Sequence, residues 1–337
     1  MINLKTNYLG LELKNPIIVG ASNLSTDGPS LKKLEERGAA AIVFKSLFEE
    51  QIELENLELQ ESMSEYNDRN AEMTSLFPSL ELSGPEEHLE KLRTAKKLLN
   101  IPVIGSLNAI YEDTWITYAK QIEETGVDAL EMNFYHIPRK IELSAEDIIS
   151  HQVEILKKVK EHIKIPVAVK LGPYYANPLN VIKRMDDIGA DGFTLFNNLY
   201  QPDIDIFKEE IHFPYLLSNE SDNRLPLRYA ALLYNNIQAG ICSNTGIYTG
   251  RDAIKMLLAG ADAVQVVSTL YKNGLSQISA MLTEMEDWMR SKNYQQISDF
   301  RGKLSKVNVK DPFAYRRAQY IDILMKSSSF FAKNVIV

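Results

Sequence analysis

Cysteine is nearly absent from this chain of 337 residues, in which Cys242 is the only one. A single cysteine excludes an internal disulfide, a zinc ribbon and a self-contained iron–sulfur cluster, and it fits a reducing compartment. A chain of this length buries about three quarters of the surface that it exposes when unfolded. We therefore expect an apolar core that needs neither a disulfide nor a structural metal.

Positive charge and long apolar runs are also scarce. Lys and Arg number 37 against 45 Asp and Glu, and the net charge of -8 argues against a nucleic-acid-binding surface. No segment approaches the roughly 18 apolar residues of a membrane span, and the N-terminus lacks the apolar core of a signal peptide. These absences predict a soluble, cytoplasmic enzyme with neither nucleic acid nor a membrane as its partner.

Short β-branched runs alternate with longer helical patterns, and the junctions between them repeat. Four runs follow a glycine that ends a helix, and two follow an Ile-Pro dipeptide that a helix cannot continue through. With two further runs they make eight predicted strands, which begin near Pro16, Gly38, Ile101, Gly126, Ile165, Gly189, Ala239 and Gly260. Eight strand–helix units in about 250 residues predict an α/β fold, a closed (β/α)8 TIM barrel. The competing fold is a doubly wound open sheet, which favours fewer strands.

Segments outside the eight units predict additions to the barrel. Residues 4–13 alternate around a turn and predict an N-terminal β-hairpin that plugs the bottom of the barrel. Residues 46–83 are rich in glutamate and lack a clean strand, so we expect an insertion after strand 2, and residues 199–224 form a second one after strand 6. Asp311-Pro312 predicts the start of a helix that runs through Leu324. The predicted domains are a barrel over 1–304 and a C-terminal helical extension over 305–337.

Polar residues follow every predicted strand, and barrel enzymes keep their active sites at that end of the strands. The last two strand ends supply small residues, hydroxyls and the start of the next helix, at Thr245-Gly246 with Gly250 and at Ser268-Thr269. Backbone N–H groups in such turns bind phosphate. We therefore expect a phosphate site across strands 7 and 8, whereas Gly246 taken alone is equally typical of an ordinary turn.

Two lysines lie in the same ring of strand ends. Lys170 ends a buried apolar run, and an inward-facing lysine needs an anionic partner because burying it unpaired is costly. It can stabilise negative charge on a reduced flavin, or form a Schiff base as in aldolases of this fold. Lys45 is a second cation after strand 2, with a surface salt bridge as the alternative.

The order and spacing of these motifs resemble the dihydroorotate dehydrogenase family of FMN-dependent barrels, nearer to its soluble class 1 members. The resemblance runs from about residue 4 to 304 and rests on these segments: Asn15-Pro16, Ala21-Ser22, Lys45-Ser46, Glu131-Met132-Asn133, Val169-Lys170-Leu171, Thr245-Gly246-Ile247, Gly260-Ala261, Gln265 and 294–304. It implies FMN as the cofactor. By position it implies contacts to the flavin and the substrate from Ala21, Ser22, Lys45, Asn133, Lys170 and Asn198. To these we add Asn108, from the ring of strand ends, as a cofactor contact. The resemblance also implies that Thr245, Gly246, Ser268 and Thr269 hold the FMN phosphate.

The chain departs from the family pattern at the base. Soluble members carry a cysteine base after the strand 4 asparagine, and the aligned position here is His136. Histidine acts as a general base near neutral pH, so we predict His136 as the replacement, with Tyr135 or a water as the alternative. Cys242 lies within strand 7 and is no simple substitute. The family's Asn-Ser-Met-Gly substrate loop is not recognisable in the acidic insertion.

The predicted function is that of an FMN-dependent oxidoreductase acting on CH–CH groups, with dihydroorotate to orotate, a step of pyrimidine biosynthesis, as the first substrate pair to test. Its predicted catalytic residues are His136, Lys45, Lys170 and Asn133. Two alternatives stay open: a Schiff-base lyase or isomerase of a phosphorylated substrate that uses Lys170, and a flavin-binding protein without activity. The electron acceptor is open among fumarate, a quinone, oxygen and a nicotinamide-linked partner subunit, and a homodimer is possible.

Overall fold

The computed structural model describes residues 2–50, 52, 85–135, 141–198, 200–212, 214, 217–316 and 318–325. Two short strands, β1 (Thr6–Tyr8) and β2 (Leu11–Leu13), pair as an antiparallel hairpin. Eight parallel strands form the barrel: β3 (Ile17–Val19), β4 (Ala41–Val43), β6 (Val103–Asn108), β7 (Ala129–Phe134), β8 (Val167–Leu171), β9 (Gly192–Leu195), β12 (Gly240–Ser243) and β13 (Ala263–Val266). Strand β4 pairs with both β3 and β6, which closes the sheet. The TIM barrel is thus confirmed, and the open sheet is excluded.

Helices alternate with the strands and cover the outside of the barrel. They are α1 (Gly28–Glu36), α2 (Glu86–Leu98), α3 (Glu112–Glu124), α4 (Ala145–His162), α5 (Pro178–Asp187), α6 (Arg224–Leu233), α7 (Gly250–Ala259), α8 (Ser268–Asn273), α9 (Gln277–Lys292) and α10 (Ala318–Met325). Side chains of Asp27, Ser144, Asn177 and Thr249 cap the first turns of α1, α4, α5 and α7. No helix in the described ranges is both long and apolar enough to cross a membrane.

The barrel strands are buried on both faces, because one face lines the barrel and the other packs against helices. The inner cluster is small and includes Ile18, Val43, Ile104 and Cys242, while a larger cluster fills the space between strands and helices. Tyr8 of the hairpin closes the bottom of the inner cluster and is 2% exposed. A Cβ atom on Gly240, where β12 begins, would lie 2.9 Å from the Tyr8 ring. The predicted plug is confirmed, and this glycine makes room for it.

An aspartate follows three of the helix-ending glycines and ties the bottom of the barrel together. The carboxylates of Asp128, Asp191 and Asp262 each accept the backbone N–H of the first or second residue of the preceding barrel strand, at 2.8, 2.7 and 2.8 Å. Each also pairs with a cation on the outer layer, namely Lys96, Lys160 and Arg301. These aspartates therefore serve the fold, at the end of the barrel opposite to the strand ends considered above.

The insertions and the C-terminus differ from the prediction in three places. Leu47–Phe48 forms a short strand, β5, parallel to β6, where the sequence predicts insertion only; 51 and 53–84 lie outside the described residues. The second insertion contains an exposed hairpin of β10 (Asp203–Asp205) and β11 (Glu210–His212). The predicted helix from Asp311 to Leu324 is two elements, because the chain is extended at Arg316 after a 3-10 turn over Pro312–Tyr315.

Helix α6 is followed by a turn that leads into strand β12. It ends at Leu233, and Asn235 then takes a left-handed backbone with φ of 60°. The backbone N–H groups of Gln238 and Ala239 donate to Asp186 of α5. These bonds turn the chain out of the helix and into strand β12.

Candidate active site

A cavity of about 260 Å³ opens at the carboxyl ends of the barrel strands. It lies opposite to the hairpin plug, on the face where barrel enzymes bind their ligands. Most of the predicted site residues line it: Ala21, Ser22, Lys45, Asn133, Lys170, Asn198, Thr245, Gly246 and Ser268. Residues separated by almost 250 positions in the sequence thus meet in one cavity, as the strand-end argument predicts.

Lys170 brings a buried positive charge to the wall of the cavity. Strand β8 pairs Lys170 with Asn133 of β7, and its side chain is only 8% exposed. Among the described residues, Nζ has no hydrogen-bond acceptor within reach, and its nearest anionic partner is Glu131 Oε1 at 3.9 Å. A buried ammonium with unused N–H groups favours an electron-rich ligand beside it.

Glu131 belongs to a polar cluster deep inside the barrel. Its Oε2 accepts hydrogen bonds from Thr194 Oγ1 at 2.8 Å and from Gln265 Nε2 at 2.6 Å. Tyr8 of the plug lies 3.4 Å from the Thr194 hydroxyl. Because only the NH₂ group of an amide can face a carboxylate, this contact fixes Gln265 Oε1 as a buried acceptor, and that atom has no partner among the described residues. Gln265 lines the cavity, so a ligand there can supply the missing donor.

Amide groups make another part of the wall. Asn197 Nδ2 donates to Asn133 Oδ1 at 2.8 Å, which leaves the Asn133 NH₂ group as a donor with a fixed direction. Across the rim, the Asn244 side chain donates to the carbonyl of Phe196 at 3.2 Å. The rim can therefore hold the carbonyl and N–H edges of a planar molecule.

The ends of β12 and β13, the seventh and eighth strands of the barrel, form the third part of the wall. Gly246 has φ of +73°, and a Cβ there would lie 2.4 Å from the backbone N of Asn223. The Ser218 hydroxyl accepts from the Gly246 N–H at 3.2 Å and donates to Ser268 Oγ at 2.9 Å. The turn is thus held tightly between the second insertion and the start of α8, with small residues facing the cavity.

Two predicted residues, Asn108 and Thr269, do not line the cavity, and a third, His136, is not among the described residues. Asn108 is buried beside β5, and its strand neighbour Phe48 lines the cavity in its place. Thr269 is fully buried; its hydroxyl donates to the Tyr248 carbonyl and accepts from Asn273, so it faces away from the cavity. His136 lies outside the described residues, and its role stays a prediction. Tyr135, the alternative base, lines the cavity, and its hydroxyl accepts from the backbone N–H of Tyr200 at 3.1 Å.

Sequence reasoning assigned no site role to several residues that the fold brings to the cavity or just below it, chiefly Ser218, Gln265 and Glu131. Glu131 and Asn133 are two positions apart in one strand, so they share its inner face. That spacing could have placed Glu131 below the site. Ser218 carries no such signal, because it lies in an irregular segment of the insertion.

Cys242 is no candidate for the missing base. It is fully buried in the inner cluster, and burial first and the nearby charge of Glu131 second raise the pKa of its thiol well above the usual value. His88 lies beside the site, with its ring edge-on to Phe44. Burial, and then the charges of Lys45 and Lys91, lower its pKa from 6.5 to about 4. At neutral pH, His88 is therefore uncharged.

The sequence model of dihydroorotate dehydrogenase matches residues 77–289, well over half of the chain. The chain belongs to the dihydroorotate dehydrogenase family. It is 29% identical to a "Dihydroorotate dehydrogenase B (NAD(+)), catalytic subunit" of Thermoplasma volcanium, over 90% of this chain and 98% of the relative. It is 28% identical to the protein of that name in Methanocaldococcus jannaschii, over 86% and 94%, respectively. It is also 28% identical to a "Dihydroorotate dehydrogenase A (fumarate)" of Lactobacillus delbrueckii subsp. bulgaricus, over 82% and 90%.

Enzymes of this family are FMN-dependent flavoproteins, and the residues present fit that cofactor. A flavin ring offers carbonyl oxygens and ring nitrogens to Lys170 and an N–H group to an acceptor such as Gln265 Oε1. The Ser268 and Gly246 region offers small residues for a phosphate. Within the described residues, the Lys170 ammonium lacks a hydrogen-bond acceptor and Gln265 Oε1 lacks a donor, and both residues line this cavity, which supports FMN as its ligand.

Proposed function

We propose that this chain oxidises dihydroorotate to orotate with FMN bound at the rim of the barrel. Its family membership supports an oxidoreductase like dihydroorotate dehydrogenase, acting on a CH–CH group. The proposal adds the substrate and the roles of individual residues. It favours redox chemistry over Schiff-base chemistry for Lys170.

The observation that carries the proposal is the pairing of Lys170 with oriented amides on one cavity wall. Lys170 provides a buried positive charge, and Asn133 and Asn197 are fixed by their mutual hydrogen bond. FMN, when bound, would supply the acceptor for a hydride from the substrate carbon. Lys170 would stabilise the negative charge that develops on the ring, and the amides and Lys45 would bind the carbonyl and carboxylate groups of the substrate.

The same oxidation releases a proton, for which the chain must supply an acceptor. We assign it to His136, which occupies the position of the family's cysteine base in the sequence. In this assignment a neutral imidazole takes the proton from one substrate carbon, and the hydride leaves the adjacent carbon for FMN. The substrate thus loses two hydrogen atoms in all, one as a proton and one as a hydride that carries both electrons.

The relatives' names mention two electron acceptors, fumarate and NAD(+), and the NAD(+)-linked relatives are named as catalytic subunits. The only cysteine of this chain is buried Cys242, so the chain carries no iron–sulfur cluster of its own. We propose that its electrons leave to a small-molecule acceptor or a partner subunit.

Turnover of dihydroorotate with an artificial two-electron dye tests the proposal without knowledge of the natural acceptor. We expect one orotate for each dye molecule reduced, measured by chromatography. Asn133→Ala should lose most of this turnover and keep FMN, whereas Asn180→Ala, on the exposed side of α5, should not change it. FMN-loaded protein that a chemical reductant reduces, but that forms no orotate, would rule out dihydroorotate as the substrate.

A further inference from the structure

Glu131 lies directly behind Lys170 as seen from the cavity. Strand β7 carries Glu131 two residues before Asn133, and Asn133 is paired with Lys170 of β8, so these side chains share the inside of the barrel. Glu131 Oε1 lies 3.9 Å from Lys170 Nζ, and the two side chains are 1% and 8% exposed. Lys170 lines the cavity, whereas Glu131 does not. A ligand in the cavity therefore meets the ammonium first, with a carboxylate behind it.

The hydrogen bonds around Glu131 hold its carboxylate in a fixed position. Oε2 accepts from Thr194 and, over a short 2.6 Å, from the NH₂ group of Gln265. Short contacts of this kind are typical of charge-assisted hydrogen bonds. Oε1 has no hydrogen-bond partner among the described residues, and it lies 3.9 Å from the Lys170 ammonium.

We infer that Glu131 is a positioning residue that serves as the fixed counter-charge of Lys170 and so lowers the reduction potential of the bound flavin. Lys170 alone favours the reduced, more negative ring, and a carboxylate held 3.9 Å from its ammonium opposes that effect. The pair thus lets the protein place a cation against the ring without making the flavin too easily reduced for onward electron transfer. This inference rests on FMN occupying the cavity as proposed for the function.

The reduction potential of FMN in the loaded, full-length protein tests the inference. Lys170→Met should shift the potential to a more negative value, since it leaves the carboxylate unopposed. Glu131→Gln and Glu131→Met should both shift it to a more positive value, and the Lys170→Met/Glu131→Met double variant should lie between the two single variants. A purely structural role for Glu131 predicts no shift with a defined sign.

Asp262→Asn provides the matched control. Asp262 is also a buried carboxylate paired with a cation, Arg301 at 2.8 Å, but it lies at the bottom of the barrel. It should lower the protein's stability and leave the potential of the flavin unchanged. Thr194→Val provides a second reading if the Glu131 variants hold no FMN, because loss of the hydroxyl donor strengthens the field of the carboxylate. It should shift the potential slightly to the negative side.

The possible failures can be told apart. A negative shift in Lys170→Met combined with unchanged or more negative potentials in both Glu131 variants overturns the counter-charge role and leaves the FMN site intact. If no Glu131 variant binds FMN, an unchanged or more positive reduction potential in Thr194→Val overturns that role equally. If Lys170→Met itself leaves the potential unchanged, Lys170 does not face the ring, and the proposed placement of FMN fails together with the inference.

Discussion

Gly246 combines two constraints at the rim of the barrel. Its φ of +73° favours glycine, and a Cβ at this position would overlap the backbone of Asn223 and Asn219. We expect Gly246→Asp to purify without FMN, because the side chain displaces the turn and adds negative charge where the phosphate would lie. The FMN released on denaturation, per chain, measures the effect.

Gly126→Asp is the control for backbone strain alone. Gly126 has φ of +81° with no atom within 4 Å of a Cβ, and it lies at the other end of the barrel. That variant should lose roughly 1–2 kcal/mol of unfolding free energy, the cost of a left-handed residue, and keep its FMN. Full FMN content in Gly246→Asp would place the phosphate elsewhere.

His136 carries the prediction about proton transfer. Replacing it by asparagine keeps a polar side chain but removes the base, so flavin reduction by saturating substrate should slow by roughly a hundredfold or more, with FMN still bound. In the parent protein this rate should follow one ionisation near pH 6.5, within about one unit. A variant rate within a few-fold of the parent would remove His136 from the chemistry and point to Tyr135 or a water.

The sequence predicts most of the site at the scale of residues, because residue type and strand position together locate Lys170, Asn133 and Gly246. It does not predict that Thr269 faces away from the cavity, since its hydroxyl partners, Tyr248 and Asn273, are chosen by local packing. Nor does it predict Ser218, whose contact with Gly246 depends on how an irregular insertion folds back.

At the scale of elements, the aspartates two residues after the helix-ending glycines hold the strands at the bottom of the barrel. Asp191 accepts the Val167 N–H and pairs with Lys160. Asp191→Ala leaves a buried strand N–H without a partner and should cost about 1–3 kcal/mol of unfolding free energy. Asp191→Asn keeps an acceptor and should cost less, because a partly exposed ion pair contributes only about 0–1 kcal/mol.

Urea unfolding of both variants and of Lys160→Met measures these costs. The expected order of loss is Asp191→Ala first, then Asp191→Asn and Lys160→Met at similar, smaller values. FMN content should stay unchanged in all three, since the junction lies opposite to the cavity. Equal losses in Asp191→Ala and Asp191→Asn would mean that the charge, and not the hydrogen bond, stabilises the junction.

The glycine and Ile-Pro junctions locate the barrel strands in advance. The shortfalls have physical causes. Strand β5 is too short to show a period, and its pairing with β6 is a tertiary contact. The capping signal of Asp311 is real, since its carboxylate accepts the Phe313 N–H, but a cap starts a turn without fixing its length.

The stability of the whole molecule should depend on pH through His88. Its pKa falls from 6.5 to about 4 on folding because of burial and of the charges of Lys45 and Lys91, while Glu87 is paired with Lys91. Below pH 6.5 the unfolded chain takes up a proton that the folded chain refuses until about pH 4. The unfolding free energy that neutral His88 contributes is therefore complete above pH 6.5. It is lost as the pH falls from 6.5 to about 4, and the loss is at most about 3 kcal/mol.

The difference between parent and His88→Leu isolates this contribution from the carboxylates that titrate in the same range. Unfolding free energies measured from pH 7.5 to 4, a window set by the cited pKa values, should fall more steeply in the parent than in the variant. Parallel curves would show that His88 can accept a proton in the folded protein.

At this largest scale the barrel follows from the number and order of its strand–helix units, because a parallel sheet of eight such units closes on itself. Closure brings Ala21, Lys170 and Ser268 to one cavity without any local signal that joins them. The predicted division at residue 304 stays a prediction; Arg228 of α6 binds Gln319 of α10 at 3.0 Å, so the extension contacts the barrel layer.

Anaerobic stopped-flow mixing of the FMN-loaded protein with dihydroorotate tests the central claim most directly, because it needs no electron acceptor. The proposed function predicts that the oxidised flavin absorbance disappears in a single turnover, at a rate that saturates with dihydroorotate, and that one orotate forms per flavin. An absorbance that dihydroorotate leaves unchanged, in protein whose flavin a chemical reductant bleaches completely, would contradict it.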